Sequence, residues 1–180
     1  MSIKTSNILL RITTRHAVTN VTIFAKETAS GLLVAGISFG VKQALGAVAA
    51  RRSRHPMLRA WALCIQELLA GNAQTGTGIP LDLAGCTAFA QSVLEACRRI
   101  PAGKTVSYSR LAKMAGYPRA VRAAASVMRN NRFPIVVPCH RVVAKNGSLG
   151  GFMGKKGGKW LALKKKLLEI EAGAAPQTKP

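Results

Sequence analysis

Cys139 stands in the run Phe133-Pro134-Ile135-Val136-Val137-Pro138-Cys139-His140-Arg141-Val142-Val143. A thiol attacks carbon only as thiolate, and its ordinary pKa of about 8.5 falls beside a histidine, an arginine or a helix N-terminus. His140 and Arg141 follow Cys139 directly, and Pro138, with its own φ fixed, stiffens the approach to it. The string therefore fits a nucleophilic cysteine with a base and a cation beside it. Adjacent side chains can also point apart, so it equally fits a buried cysteine beside a satisfied histidine. The other cysteines, Cys64, Cys86 and Cys97, form no CxxC or CxxH pattern, so no metal site is expected. Reduced thiols in a cytosol-like compartment are expected, because Ile3 to His16 has no long apolar core before a small-residue cleavage site.

The elements that must position this cysteine can be read around it. Thr87 caps a helix running to about Ile100, with Phe89, Val93, Ala96 and Cys97 inward, and Pro101-Ala102-Gly103 breaks it. Ser107 is an N-cap for a short helix that Gly116 stops. Pro118 then opens a second helix through Arg119, Val121, Arg122, Ala125 and Met128 to about Arg129. Two short helices joined by a tight glycine-containing turn make a helix-turn-helix pattern, which many purely structural hairpins share. Ala120, Ala123, Ala124 and Ala125 give the second helix a small-sided surface able to approach a groove closely, and Arg122 is the long cation among them. Those alanines can also be simple helix formers, with Arg122 a solvated charge.

Charge favours the nucleic-acid reading. The 180 residues carry 27 Lys and Arg against six acids, a net +21. Between Arg98 and Ile170 there are 17 Lys and Arg and one acid, Glu169. A surface that positive repels itself unless a polyanion neutralises it.

The N-terminal part reads as β: Ile8 to Arg15, Val18 to Ala25 and Leu32 to Phe39, with a hairpin turn within Lys26 to Gly31. Val41 to Arg51 and Met57 to Ala70 read as helices, the latter ended by Gly71. Ser30 to Ala50 is fairly apolar, but Lys42, Gln43 and four glycines argue against a membrane span. Gly71 to Gly78 is the best linker, which places an N-terminal β-sheet and helix domain at 1–79, a basic helical domain at 80–172 and a flexible tail at 173–180.

Pro138-Cys139-His140-Arg141-Val142 resembles the active-site motif of the O6-alkylguanine-DNA alkyltransferases, the methylated-DNA–protein-cysteine methyltransferases. Ile100 to Tyr108, Met128-Arg129-Asn130-Asn131, Gly150-Gly151-Phe152 and Leu161 to Glu171 fall in register with the same family. The resemblance covers about residues 80 to 171; the first 80 are similar only loosely. It implies an α/β (α+β) fold, with a small RNase-H-like N-terminal sheet and a mainly α C-terminal domain holding the helix-turn-helix.

By position, the resemblance gives Cys139 the acceptor thiol's role. His140 resembles its base, acting through a water, and Glu171 the carboxylate that orients it, a variant of triad logic. Tyr108 resembles the group that meets guanine N3, and Asn131 the tie between the recognition helix and the active-site turn. DNA contacts fall on Arg122, the finger that fills the stack, and on Ala120, Ala123, Ser107 and Arg129. The alkylguanine pocket falls on Pro134, Val142, Phe152, Met153 and Met128.

The implied activity is single-turnover transfer from O6-alkylguanine, with O4-alkylthymine as a second candidate, after nucleotide flipping. It needs no cofactor, double-stranded DNA is the partner, and a cytoplasmic or nuclear monomer off the membrane is expected. Phe152 stands where tyrosine is frequent, and Met153 where a small residue or arginine is frequent. Lys155 to Trp160 makes a longer loop than usual. Three other readings predict different behaviour. A lesion binder without chemistry has no need of Cys139, a thiol enzyme unrelated to DNA has no need of the charge, and a sequence-specific regulator needs base-reading side chains that an alanine-rich helix lacks.

Overall fold

The computed structural model describes residues 9–14, 19–39, 51–52, 55–72 and 76–174, with the backbone alone for 9–14, 51–52 and 174. Four strands form one sheet: β1 (Leu9–Thr14), β2 (Val21–Thr28), β3 (Gly31–Phe39) and β4 (Arg51–Arg52). Their order is β3-β2-β1-β4, antiparallel except for β1 beside β4. This is a small N-terminal sheet, as the resemblance implied, and it is mixed. β2 starts at Val21 and runs through Lys26, Glu27 and Thr28, which the sequence had placed in the turn. The turn is only Ala29-Ser30, closed by Gly31 at φ +120° and by the Thr28 hydroxyl on the Gly31 carbonyl, so the polar residues stay paired in the ladder. Of the helix expected at Val41 to Arg51, 41–50 lie outside the described residues and Arg51 is in β4.

Helix α1 (Pro56–Ala70) lies against the sheet. Leu58, Ile65 and Leu69 are fully buried, each worth about 1.5–3 kcal/mol in area removed from water. Pro56 opens the helix and Gly71 closes it in the left-handed conformation.

The apolar core continues past the expected boundary near residue 80 without a break, from Val34 and Leu68 through Val93, Cys97 and Leu111 to Val136 and Leu167. Backbone bonds cross it too: Val34 N–H to Pro80 O (2.9 Å), Asp82 N–H to Val34 O (2.8 Å) and Ile37 N–H to Arg132 O (2.8 Å). Arg98, buried, donates to the carbonyls of Gly76, Thr77 and Ile79, holding that segment on α2.

Beyond the boundary lie α2 (Ala88–Arg98), β5 (Val106–Ser107), α3 (Tyr108–Met114), α4 (Val121–Arg129), a 3-10 turn at Cys139–Arg141, β6 (Val142–Val143) and α5 (Gly158–Ala174). Thr87 caps α2 by accepting from Ala90 N–H at 3.2 Å; the helix ends at Arg98, two residues short of Ile100. Ser107 caps α3 through Arg110 N–H at 3.2 Å. Gly116, at φ +87°, completes a Schellman stop in which Tyr117 N–H reaches Ala112 O and Gly116 N–H reaches Lys113 O. α4 starts at Val121, not at Pro118, because a separate turn from Tyr117 O to Ala120 N–H intervenes. α5 takes in Gly158 to Trp160 of the expected loop and runs through Gly173 and Ala174, where the tail was expected to begin; 175–180 lie outside the described residues.

Candidate active site

Two-residue strands set the backbone under Cys139. β6 pairs in parallel with β5, Val106 with Val142 and Ser107 with Val143. This pairing anchors the 3-10 turn at one end and the start of α3, with Tyr108, at the other. Asn131, just past α4, fixes the approach from the opposite side. Its Nδ2–H donates to Val137 O and its Oδ1 accepts from Phe133 N–H, both at 2.9 Å. Within that loop Ile135 sits at φ +73°, a strained conformation for a β-branched side chain, with its side chain buried.

Cys139 is 5% exposed and lines a cavity of about 460 Å³. Tyr108, Met128, Arg129, Phe152, Met153, Lys155 and Lys156 also line it. Of the expected pocket residues, Met128, Phe152 and Met153 are therefore at the cavity, while Pro134 and Val142 are not. Pro134 is buried in the bridge to Val137, and Val142 is wholly buried in the β5–β6 pair. The cavity wall is a tight hairpin: Phe152 N–H and O bond Lys155 O and N–H at 2.8 and 2.9 Å. Met153 (φ +50°) and Gly154 (φ +74°) make its two-residue turn, a geometry for which glycine or asparagine is usual. Phe39 of β3 backs this wall, with ring centroids 6.0 Å from Phe152 and 6.0 Å from Trp160.

A 3-10 turn has three residues per turn, so Cys139, His140 and Arg141 point in three directions. Of the two arrangements the sequence left open, the structure has the adjacent side chains pointing apart. Arg141, 1% exposed, is engaged with Glu171: its Nη2 donates to Oε1 at 2.8 Å, and its Nε lies 3.1 Å from both oxygens. It also donates to Ile100 O. His140, 1% exposed, places Nε2 2.8 Å from Glu171 Oε1, while its Nδ1 has no hydrogen-bond partner among the described residues. A proton on Nε2 leaves Nδ1 as the basic lone pair.

The protonation states follow. Burial works to raise the Glu171 carboxyl, but hydrogen bonds and charge from His140 and Arg141 hold it at about 2. Burial pushes the His140 imidazole below its ordinary range, and Glu171 beside it does not fully reverse this. The pair is therefore neutral imidazole on ionised carboxylate near pH 7, which is a proton acceptor. Burial raises the Cys139 thiol, opposed by the Asn131 side chain and then by Lys164. At rest the group is a thiol, so attack requires that its proton be taken.

Lys164 is a buried cation at the site that sequence reasoning missed. Its side chain donates to the carbonyls of Val142 (2.6 Å), Leu149 (2.6 Å) and Gly151 (3.3 Å), tying α5 to the cavity wall. Burial brings its ammonium down to about 8, with the two buried cysteines pulling the other way. The available signal was spacing: Lys164, Leu167 and Glu171 share one face of α5, and the middle one is apolar.

On the outside, Arg122 and Arg129 are exposed seven residues apart, on one side of α4. Ala120 and Ser107 are half-buried at the starts of α4 and α3. Ala123 is exposed but turned about 100° from Arg122, lining a groove against α2 with Thr87 and Ala90. Among the described residues, no helix is long and apolar enough to cross a membrane.

Comparison with known proteins meets this geometry. Residues 88–173 match the family model described as 6-O-methylguanine DNA methyltransferase, DNA binding domain. Over 90 residues the chain is 48% identical to the bifunctional transcriptional activator/DNA repair enzyme Ada of Escherichia coli, covering 49% of this chain and 25% of that one. Over 107 residues it is 43% identical to the constitutive methylated-DNA–protein-cysteine methyltransferase of Bacillus subtilis, covering 59% of this chain and 61% of that protein. The chain thus spans between a quarter and about three-fifths of these curated relatives. The Mycobacterium tuberculosis protein OGT, solved in complex with DNA, superposes with a TM-score of 0.71 at 28% identity, over 92% of this chain and 94% of the other. Residues 88–173 are thus similar to the DNA-binding domain of the 6-O-methylguanine DNA methyltransferases.

Proposed function

We propose that this protein repairs O6-alkylated guanine in double-stranded DNA by taking the alkyl group onto Cys139, once per molecule. The observation that carries the reading is the position of Cys139. It lies at a cavity on the side of α4 that presents Arg129, with a buried Glu171–His140 pair behind it. An O6-alkyl carbon inside a duplex is out of reach, so the nucleotide is everted into the cavity at a cost of a few kcal/mol, which phosphate contacts offset. Arg122 fills the vacated stack, and Ser107, Ala120 and Ala123 lie toward the DNA backbone. The thiol proton passes to His140 Nδ1 through a water, and Glu171 stabilises the imidazolium. The thiolate forms the S–C bond as the C–O6 bond breaks, and the electron pair leaves with guanine. Tyr108 donates a hydrogen bond at N3 to ease that departure, and Asn131 holds the turn and the thiolate. A thioether does not hydrolyse, so the protein is consumed. We assign this chemistry to residues 80–172, acting as a monomer in the cytoplasm or nucleus.

The test is stoichiometric. Increasing protein is added to a duplex carrying one O6-methylguanine, and the lesion remaining is counted. One lesion lost per protein, then no more, is the expected result; continued loss at substoichiometric protein, or none at all, would contradict it.

A further inference from the structure

The mouth of the Cys139 cavity carries three cations without a carboxylate. Arg129, at the end of α4, packs on Gly154, where a Cβ would lie 3.7 Å from its Cγ and 3.9 Å from its Nε. Lys155 and Lys156 follow in the hairpin, and all three are exposed and line the cavity. The hairpin backbone is pinned by its two Phe152–Lys155 bonds, so these lysines start from a fixed place. None of the three has an ion-pair partner among the described residues. The acids that form ion pairs there do so elsewhere: Glu95 with Arg98, Glu169 with Lys165, and Glu171 with His140 and Arg141. Like charges gathered at one opening repel each other unless an anion sits among them.

We propose that Lys155 and Lys156, with Arg129, form a phosphate clamp at the cavity mouth, gripping the backbone of the nucleotide whose base enters. This rests on the proposed function and adds a substrate preference to it: the site favours a base that carries its phosphate over the base alone. The short segment between the hairpin and α5 then serves to carry two cations to the opening.

The experiment compares wild type, K155S/K156S and K155R/K156R by the rate constant of transfer from three substrates. These are a duplex oligonucleotide with one O6-methylguanine, O6-methyl-deoxyguanosine 5′-monophosphate, and free O6-benzylguanine. The serine variant should lower the ratio of oligonucleotide to free-base rate about tenfold, and arginine should restore it. The slope of log rate against log salt should fall by about one. A matching fall for the monophosphate assigns the contact to the nucleotide's own 5′ phosphate; a fall for the oligonucleotide alone assigns it to a neighbouring phosphodiester. An unchanged ratio and slope, or an equal loss on all three substrates, overturns the clamp. Failure of the wild type to react with any of the three would instead overturn the proposed function.

Discussion

Behind the Cys139 sulfur and in front of it, the same residue types behave in opposite ways. Behind, Arg141, His140 and Lys164 are out of solvent and matched: one carboxylate serves the first two, and three carbonyls serve the third. In front, Arg129, Lys155 and Lys156 are exposed and gathered at the cavity, with Arg122 exposed two turns earlier on α4 and no carboxylate lining the opening among the described residues. The difference teaches how to read a strongly basic chain. Inside, a charge is tolerated only with its partner built in, so it reports on the protein's own architecture. Outside, unmatched charge reports on a partner that comes from elsewhere.

Substitutions can break that contrast, and the largest effect falls between the two regions. Cys139→Ser should abolish methyl transfer while leaving duplex binding within about twofold, since the sulfur carries no charge toward phosphate. Gel-shift titration beside a transfer assay checks both; retained transfer would refute the assignment.

Glu171→Gln breaks the rear cluster. The folded carboxyl sits at about 2 against an ordinary 4.5, so its stabilising contribution is present above pH 4.5 and is lost as pH falls toward 2. Removing it should cost about 3 kcal/mol at pH 7, shrinking as pH drops through that window. Urea unfolding of wild type and variant at pH 7 and pH 3 measures this, and an equal gap at both values would contradict the carboxylate's role.

Arg122→Ala tests the front. Repair in duplex should slow about tenfold relative to reaction with free alkylguanine, which needs no stack filled. Equal slowing on both substrates would remove the arginine from DNA contact. The smallest effect is expected where neither region is touched. Gly116→Ala meets no atom within 4 Å but forces φ +87° on a Cβ, and should lower stability by about 1 kcal/mol with transfer unchanged.

Much of this was legible in the sequence because its signals are local. Thr87, Ser107, Gly71 and Gly116 cap or stop helices by chemistry that depends on a few neighbouring residues, and the structure has them doing so. The presence of β1 to β3, and the hairpin joining β2 to β3, followed from apolar runs and one turn. What stayed hidden depends on contacts distant in sequence. β5 and β6 are two residues each, too short for any periodicity, yet their pairing joins Tyr108 to the Cys139 turn. Arg141 looked like a companion of the sulfur because it is two residues away; its carboxylate partner is 30 residues on. Lys164 sits in a run of three lysines, and only its spacing to Leu167 and Glu171 marked it as the buried one. Pro134 and Val142 were placed at the cavity by motif position, but both are buried and neither lines it.

The central claim is most directly tested by peptide mass mapping after incubation with an O6-methylguanine duplex. One added methyl group on the peptide containing Cys139, and on no other cysteine, is the predicted result. An unmodified Cys139 peptide alongside repaired DNA, or the methyl group on Cys64, Cys86 or Cys97, would contradict it.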